Sequence, residues 1–139
     1  MADENTFLPV TGQGAHATQH LSGGADPLPI SVLFPAPVTL SDGPTISTDA
    51  SLGTHFRVTL GGNRTLANPT GASDGQRITW EIIQDGTGSR ILSYDTKFTF
   101  GTDVTSPVLS TTAGLRDFIT VIYNSSTDKF YVTGFSRGF

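Results

Sequence analysis

The acidic side chains are the first place to look for catalytic chemistry, because hydrolysis of a glycosidic bond needs two carboxylates that face one cleft. Glu81 is the only glutamate after Glu4, and it follows Trp80 in an alternating apolar and polar segment. We expect Glu81 to pair with Arg77 or Arg90 on a solvated sheet face. Most aspartates stand beside Gly, Ser, Thr or Asn, where such residues cap turns through hydrogen bonds to the backbone. They are Asp42, Asp74, Asp85, Asp95, Asp103 and Asp128.

Other catalytic arrangements are equally incomplete. A Ser-His-Asp set could be drawn around His55, but no nucleophile-elbow pattern supports it. The glycine pairs are too short for phosphate loops and have strand patterns on both sides. A single Trp on a strongly alternating strand, as at Trp80, is more typical of a core than of a sugar-stacking platform. The sequence therefore predicts a protein that is not an enzyme.

His16 and His20 have the spacing of metal ligands, because residues four apart share one face of a helix. Glycines at positions 12, 14, 23 and 24 make a helix unfavourable here, and Asp26 is the only further ligand nearby. We expect no metal and no other cofactor. Hydrogen bonding by the two histidines to a neighbouring protein is the preferred interpretation.

Composition and charge exclude several classes of protein. The formal charge of the 139-residue chain is −4, and its eight Lys and Arg residues are scattered singly, which argues against nucleic acid as a partner. The chain has no cysteine, so it has neither a disulfide framework nor a thiolate metal site. The acidic start Met-Ala-Asp-Glu-Asn predicts no secretory signal, and no apolar run approaches the length of a membrane span. We expect no membrane partner.

The sequence divides into two parts, and residues 1–36 form the first. Glycines and prolines interrupt this part, and its apolar residues occur in short islands, so it cannot build a core of its own. We predict an extended arm that reaches on the order of 100 Å, at about 3.3 Å per residue. Apolar side chains are costly to leave in water. The arm is therefore expected to dock on a neighbouring copy or partner through Phe7, Leu8, His16, His20, Leu28, Ile30, Val32, Leu33 and Phe34.

Residues 37–139 form the second part, which is predicted to be an all-β domain. Segments 55–60 and 76–84 alternate with period two, as half-buried strands do. Asp85-Gly-Thr-Gly88 predicts a hairpin between 76–84 and 89–94, and segment 118–123 is expected to pair with 129–134. Closely spaced short strands with turn residues between them favour an antiparallel β-sandwich that is jelly-roll-like.

Several segments resemble a β-sandwich module of tailed-bacteriophage tail-fibre and minor structural proteins. They are Gly53–Leu60, Asn63–Pro69, Asp74–Trp80, Gln84–Arg90, Phe118–Asn124 and Phe130–Phe135, and the resemblance covers roughly residues 45–139. Upstream, His16–Pro27 is similar to a linker near the start of phage tail and appendage proteins. The chain lacks the length and shaft repeats of a tail fibre, so a capsid decoration protein or a small tail appendage fits it at least as well.

The resemblance implies a virion component made in the host cytoplasm, often a homotrimer, whose partners are other virion proteins and copies of itself. Phe135, Arg137 and Phe139 are candidates either for a subunit contact or for sealing the end of the domain. The alternative function is a receptor-binding head whose loops 68–75, 85–88 and 101–106 touch a host glycan. Its candidate contacts are Asn68, Thr70, Asp74, Asp85, Thr87 and Asp103.

Overall fold

Nine β-strands and one short 3-10 helix make up the part of the chain that the computed structural model describes, which is Ser31 and residues 34–139. The helix is Ala50–Leu52, and Asp49 caps it by accepting a hydrogen bond from the backbone N–H of Ser51. The strands are β1 Val38–Thr39, β2 Thr45–Ile46, β3 His55–Leu60, β4 Arg64–Leu66, β5 Arg77–Gln84, β6 Leu92–Tyr94, β7 Phe98–Thr99, β8 Arg116–Asn124 and β9 Lys129–Ser136.

The strands form two sheets, and the chain alternates between them from β1 to β7. One sheet has the order β1-β3-β5-β8-β9-β7, and the other has the order β2-β4-β6. Each winding of the chain adds one strand to each sheet, so β1, β3 and β5 are parallel neighbours, and so are β2, β4 and β6. The last part of the chain leaves this pattern, because β8 and β9 add an antiparallel hairpin to the larger sheet.

One apolar core lies on the inner faces of the two sheets. Alternate residues of β3 and β5 are buried, and the small sheet contributes Ile46, Leu66 and Leu92. Trp80 is fully buried, and its indole N–H donates to the hydroxyl of Thr48 at 3.0 Å. Burial with this polar group satisfied confirms the interpretation of Trp80 as a core residue.

The prediction of an all-β fold is confirmed, but the prediction of antiparallel order is wrong for most of the strand pairs. Only β5–β8 and β8–β9 are antiparallel, whereas the other five pairs are parallel. Alternation of apolar and polar residues determines which face a strand buries, and it carries no information about the direction of the neighbouring strand. A parallel pair needs a long crossover. Here, strands of the opposite sheet supply the crossovers.

The two predicted hairpins differ in outcome. Segments 118–123 and 129–134 do pair, as β8 and β9. The hairpin predicted at Asp85-Gly-Thr-Gly88 is wrong, because β5 and β6 lie in different sheets. Asp85 instead accepts hydrogen bonds from the backbone N–H groups of Thr87 and Gly88, so the turn carries the chain from one sheet to the other.

Most of the predicted arm lies outside the described residues. This includes its candidate contacts Phe7, Leu8, His16, His20, Leu28, Ile30, Val32 and Leu33. Phe34 is described, and it is 75% exposed. Ala36–Phe139 form one compact unit, distinct from Met1–Pro35. Within the described ranges, no helix has both the length and the apolar character needed to cross a bilayer.

Candidate functional site

The outer face of the six-stranded sheet, opposite the core, carries the residues that alternate with the buried ones. The register of β3, β5, β8 and β9 places them in four rows across the strands, and the row of Thr59, Ile83 and Arg116 flanks the three that form the candidate site. The first row is Arg57, Glu81, Phe118 and Ser136; the second is His55, Thr79, Thr120 and Gly134; the third is Arg77, Ile122 and Tyr131. This face therefore has long side chains in its first and third rows and mostly short ones between them.

Glu81 is the centre of the first row, and its side chain is only 3% exposed. One carboxylate oxygen accepts from the Nε of Arg57 at 2.6 Å, and the other accepts from Arg116. Burial acts to raise the pKa of Glu81, but the hydrogen bonds from Arg57 and Arg116 outweigh it, so the pKa lies below its ordinary value. The carboxylate is thus ionised and fully engaged, which fits a structural ion cluster better than an acid or base.

The predicted partners of Glu81 were therefore wrong. Arg77 stands two rows away, and Arg90 forms a bidentate pair with Asp85. Arg57 lies 24 positions before Glu81 and Arg116 lies 35 positions after it. Only the strand order brings these residues together, and no local sequence signal could have indicated it.

The second row forms the floor of a trough that crosses the strands. The hydroxyl oxygens of Thr79 and Thr120 lie 3.0 Å apart and share a hydrogen bond. Gly134 continues the floor, and a Cβ atom built on it would be 3.9 Å from the Cβ of Thr120, an ordinary contact that leaves room for a side chain. Residues four apart on one strand are about 13 Å apart, so the first and third rows are separated by about that width.

The β3 end of the trough is cationic. Arg77 is exposed, and it forms no ion pair with any described residue. Beside it, a depression of about 520 Å³ is lined by Thr54, His55, Gly75, Gln76, Arg77 and Thr79. The Nε2 atom of His55 is buried, lies 3.9 Å from a carboxylate oxygen of Glu81 and has no hydrogen-bond partner among the described residues.

The opposite end of the trough is apolar and aromatic. Phe118 and Ile122 are half-buried on β8, and Tyr131 of β9 is 38% exposed. Phe139 is 65% exposed, and its ring contacts that of Phe118 edge to face, with 5.7 Å between the centroids. Together, the two ends can bind a segment that carries an anion at one position and an apolar side chain further along.

The predicted receptor contacts at Asp74, Asp85 and Asn68 are used within the fold. Asp74 accepts from the backbone N–H of Ser125, and the bidentate pair with Arg90 lowers the pKa of Asp85 to about 2. Asn68 accepts from the backbone N–H of Lys97 through its side-chain oxygen. Asp85 also caps its own turn, as expected for an aspartate beside glycine, whereas Asn68 and Asp74 join segments that are distant in sequence.

The predicted receptor loops do not form one surface. Loop 68–75 precedes β5, whereas loop 85–88 follows it, and the eight residues of β5 separate them by about 23 Å. Thr70 bridges to Asp49 beside the 3-10 helix, and Thr87 is exposed at the other end of the molecule. Asp103 is exposed too, and it lines a depression together with Phe135 and Arg137.

The C-terminal residues tie the end of the chain to β8. The backbone N–H and carbonyl of Phe139 pair with Arg116, and Arg137 donates to the carbonyl of Val108 at 3.1 Å. Phe135 packs against the core. The backbone of Phe139 thus seals the end of the domain, while its ring remains exposed. A subunit contact at this end stays a prediction.

Two important residues escaped the sequence analysis. Asp117 is fully buried and accepts from the backbone N–H groups of Ser110 and Gly138, so it fastens two loop segments. Gly134 shapes the trough floor. Asp117 could have been recognised as a carboxylate within an alternating strand. No sequence pattern marks Gly134.

The described residues contain no group of three or more His, Cys, Asp or Glu residues that could hold a metal ion. Comparisons of the chain with protein-family models, with curated proteins and with solved structures gave no match, so the candidate site stands on its own geometry.

Proposed function

We propose that this chain is a non-enzymatic structural component of a tailed-phage virion. It would be a small, trimeric capsid-decoration or tail-appendage protein that is anchored by its N-terminal arm, residues 1–36. The support comes from the sequence resemblance over residues 45–139 and from the chemistry of the outer sheet face. No catalytic role fits Glu81, because both of its oxygens are held by arginines.

The observation that carries the proposal is that the larger sheet has one face that is largely uncovered. Parallel strands are generally buried on both faces of a sheet, and β1, β3 and β5 of this mixed sheet are parallel. The small sheet lies on the core side, whereas on the outer face, among the described residues, the side chains of the sheet are joined by the ring of Phe139, which contacts Phe118. A sheet of this kind gains stability when another polypeptide covers it. The sandwich-like packing of the two sheets would supply the rigid body that presents this face.

The experiment is to locate the chain in purified particles by electron microscopy and to compare it with a chain that lacks residues 1–36. Circular dichroism of the truncated chain first establishes that its strands remain formed. We expect particles to lose the truncated protein while the complete chain stays bound. Particles that keep the folded truncated protein would contradict anchoring by the arm, and particles that never contain the complete chain would contradict the virion role.

The alternative is a receptor-binding head that recognises a host glycan. It has less support, because loops 68–75 and 85–88 lie at opposite ends of β5 and their aspartates are engaged in turns. Binding of the complete chain to a glycan array, abolished by Thr87→Ala or Asp103→Ala, would favour this alternative.

A further inference from the structure

We propose that the trough on the outer sheet face receives the acidic start of the N-terminal arm, Asp3–Leu8, from a second copy of this chain. The proposal rests on the proposed function, since it names the partner that the arm binds within the assembly. Three observations carry it: the charge of the trough, its shape, and the length of chain that precedes the described fold.

The charge of the trough is complementary to that of the segment. Two arginines and one glutamate stand in its walls, and Arg116 reaches Glu81 from the next row, so these four residues carry two formal positive charges on a chain whose total is −4. Among the described residues Arg77 has no ion-pair partner, whereas Arg57 and Arg116 hold Glu81. Asp3 and Glu4 are adjacent acids at the very start of the arm. Complementary charges of this kind select partners and orient them.

The spacing also agrees. Arg77, Ile122 and Tyr131 stand side by side on three neighbouring strands, so about 9.6 Å separates the first from the third at about 4.8 Å per strand. In an extended segment side chains four positions apart share one face, so Asp3 and Phe7 point the same way and are about 13 Å apart at about 3.3 Å per residue. With the Asp3 carboxylate at the guanidinium of Arg77, the Phe7 ring lies at the β9 side of the trough, beside Tyr131.

The donor must reach the acceptor, and the arm is long enough for that. Thirty residues separate Glu4 from Phe34, and fully extended they span about 100 Å. The arm segment of one copy binds the trough of the next copy. Because these are two different surfaces, the contact is head-to-tail and can close a ring of three copies. A twofold pairing of two troughs would instead set arginine against arginine. The charges thus disfavour a dimer in which two troughs face each other.

The first test uses complete chains in which one charge is reversed at a time, with sedimentation velocity as the measurement. Asp3→Lys/Glu4→Lys removes the donor, and Arg77→Glu removes the acceptor without touching the ion cluster at Glu81. We expect each variant alone to associate at least tenfold more weakly than the wild type, since reversal turns attraction into repulsion. An equimolar mixture should restore association, because the intact arm of the Arg77→Glu chain meets an intact trough and the reversed arm of the other chain meets the reversed trough.

Each outcome of the mixing experiment decides the matter. Restored association in the mixture, weakened as salt is raised, supports exchange between copies. A mixture that stays monomeric, or a wild type that is monomeric at all concentrations, overturns the proposal. Variants that no longer associate but still enter phage particles at wild-type level show that the arm has a different partner. In that case this inference fails while the virion proposal stands.

The second test blocks the trough without changing its charge. Gly134→Leu places a side chain on the trough floor, where there is room for its Cβ, and we expect at least tenfold weaker association. Gly101→Leu is the matched control, because a Cβ at that position has open space around it and the residue lies in a loop after β7 that contributes to none of the rows of the trough. Equal association of the two variants, with unchanged circular dichroism, would overturn the proposal.

Discussion

Glu81→Gln is the substitution that best tests the structure of the outer sheet face. The amide has nearly the same shape as the carboxylate, but it carries no charge and turns an NH₂ group toward one of the two arginines. A hydrogen bond between charged groups contributes roughly 1.5–3 kcal/mol when it is buried. The side chain of Glu81 is 3% exposed, whereas those of Arg57 and Arg116 are 41% and 49% exposed. Water can therefore replace much of the hydrogen bonding that the two arginines lose with the carboxylate.

The expected loss is therefore nearer to that of exposed ion pairs, about 0.2–1 kcal/mol each. For the two arginines of Glu81 together, we expect the free energy of unfolding to fall by about 1–2 kcal/mol, when the burial of the carboxylate is allowed for. In a folded unit of this size, each kcal/mol lowers Tm by roughly 4–8 °C, so the expected decrease is about 5–15 °C.

Thermal and urea unfolding at neutral pH measure this effect. Asp103→Asn is the matched control, because Asp103 is exposed and has no ion-pair partner among the described residues, and we expect it to change stability by less than about 0.5 kcal/mol. The pKa of Glu81 is lowered by folding, so its contribution is present above its ordinary pKa and is lost as pH falls through the lowered value. The difference between wild type and Glu81→Gln should shrink in acid. Equal stability of the two proteins at neutral pH would refute the ion cluster.

Three further substitutions test other parts of the fold. Folding lowers the pKa of Asp85 to about 2, so the stability that Asp85 contributes is present above its ordinary pKa and is lost between about pH 4 and 2. Asp85→Asn should flatten the dependence of Tm on pH in that window, and an unchanged profile would contradict this role of Asp85. Thr48→Val leaves the buried N–H of Trp80 without its acceptor and should cost about 1–3 kcal/mol in urea unfolding, with a loss below 0.5 kcal/mol counting against the bond. Gly88→Ala places a Cβ 2.5 Å from a backbone oxygen, whereas Gly75→Ala, at the same φ of +74°, meets nothing within 4 Å. Tm should fall much further for Gly88→Ala than for Gly75→Ala. Equal decreases would refute the close packing at the turn of Gly88.

The sequence alone was sufficient for the class of fold and for the inward faces of its strands. Alternation in segments 55–60 and 76–84 marks Phe56, Val58, Ile78 and Trp80 as one set, and all four are buried. This works because burial follows the hydrophobic period of a strand, which is local information. The turn roles expected of the aspartates depend on equally local hydrogen bonds. That of Asp85 is confirmed, whereas the carboxylate of Asp74 accepts from Ser125, 51 positions away.

Strand direction and strand order were decided by the tertiary structure. The turn after β5 reads as a hairpin because Asp-Gly suits one, yet packing places β6 in the opposite sheet. Register in turn decides which distant residues meet, so Arg57, Glu81 and Arg116 form one cluster that no spacing along the chain could reveal. The trough has the same origin, because Thr79, Thr120 and Gly134 are unremarkable separately and become a surface only when three strands bring them side by side. Local periodicity thus determines what each strand buries, and only the long-range pairing of strands creates the outer face that carries the proposed site.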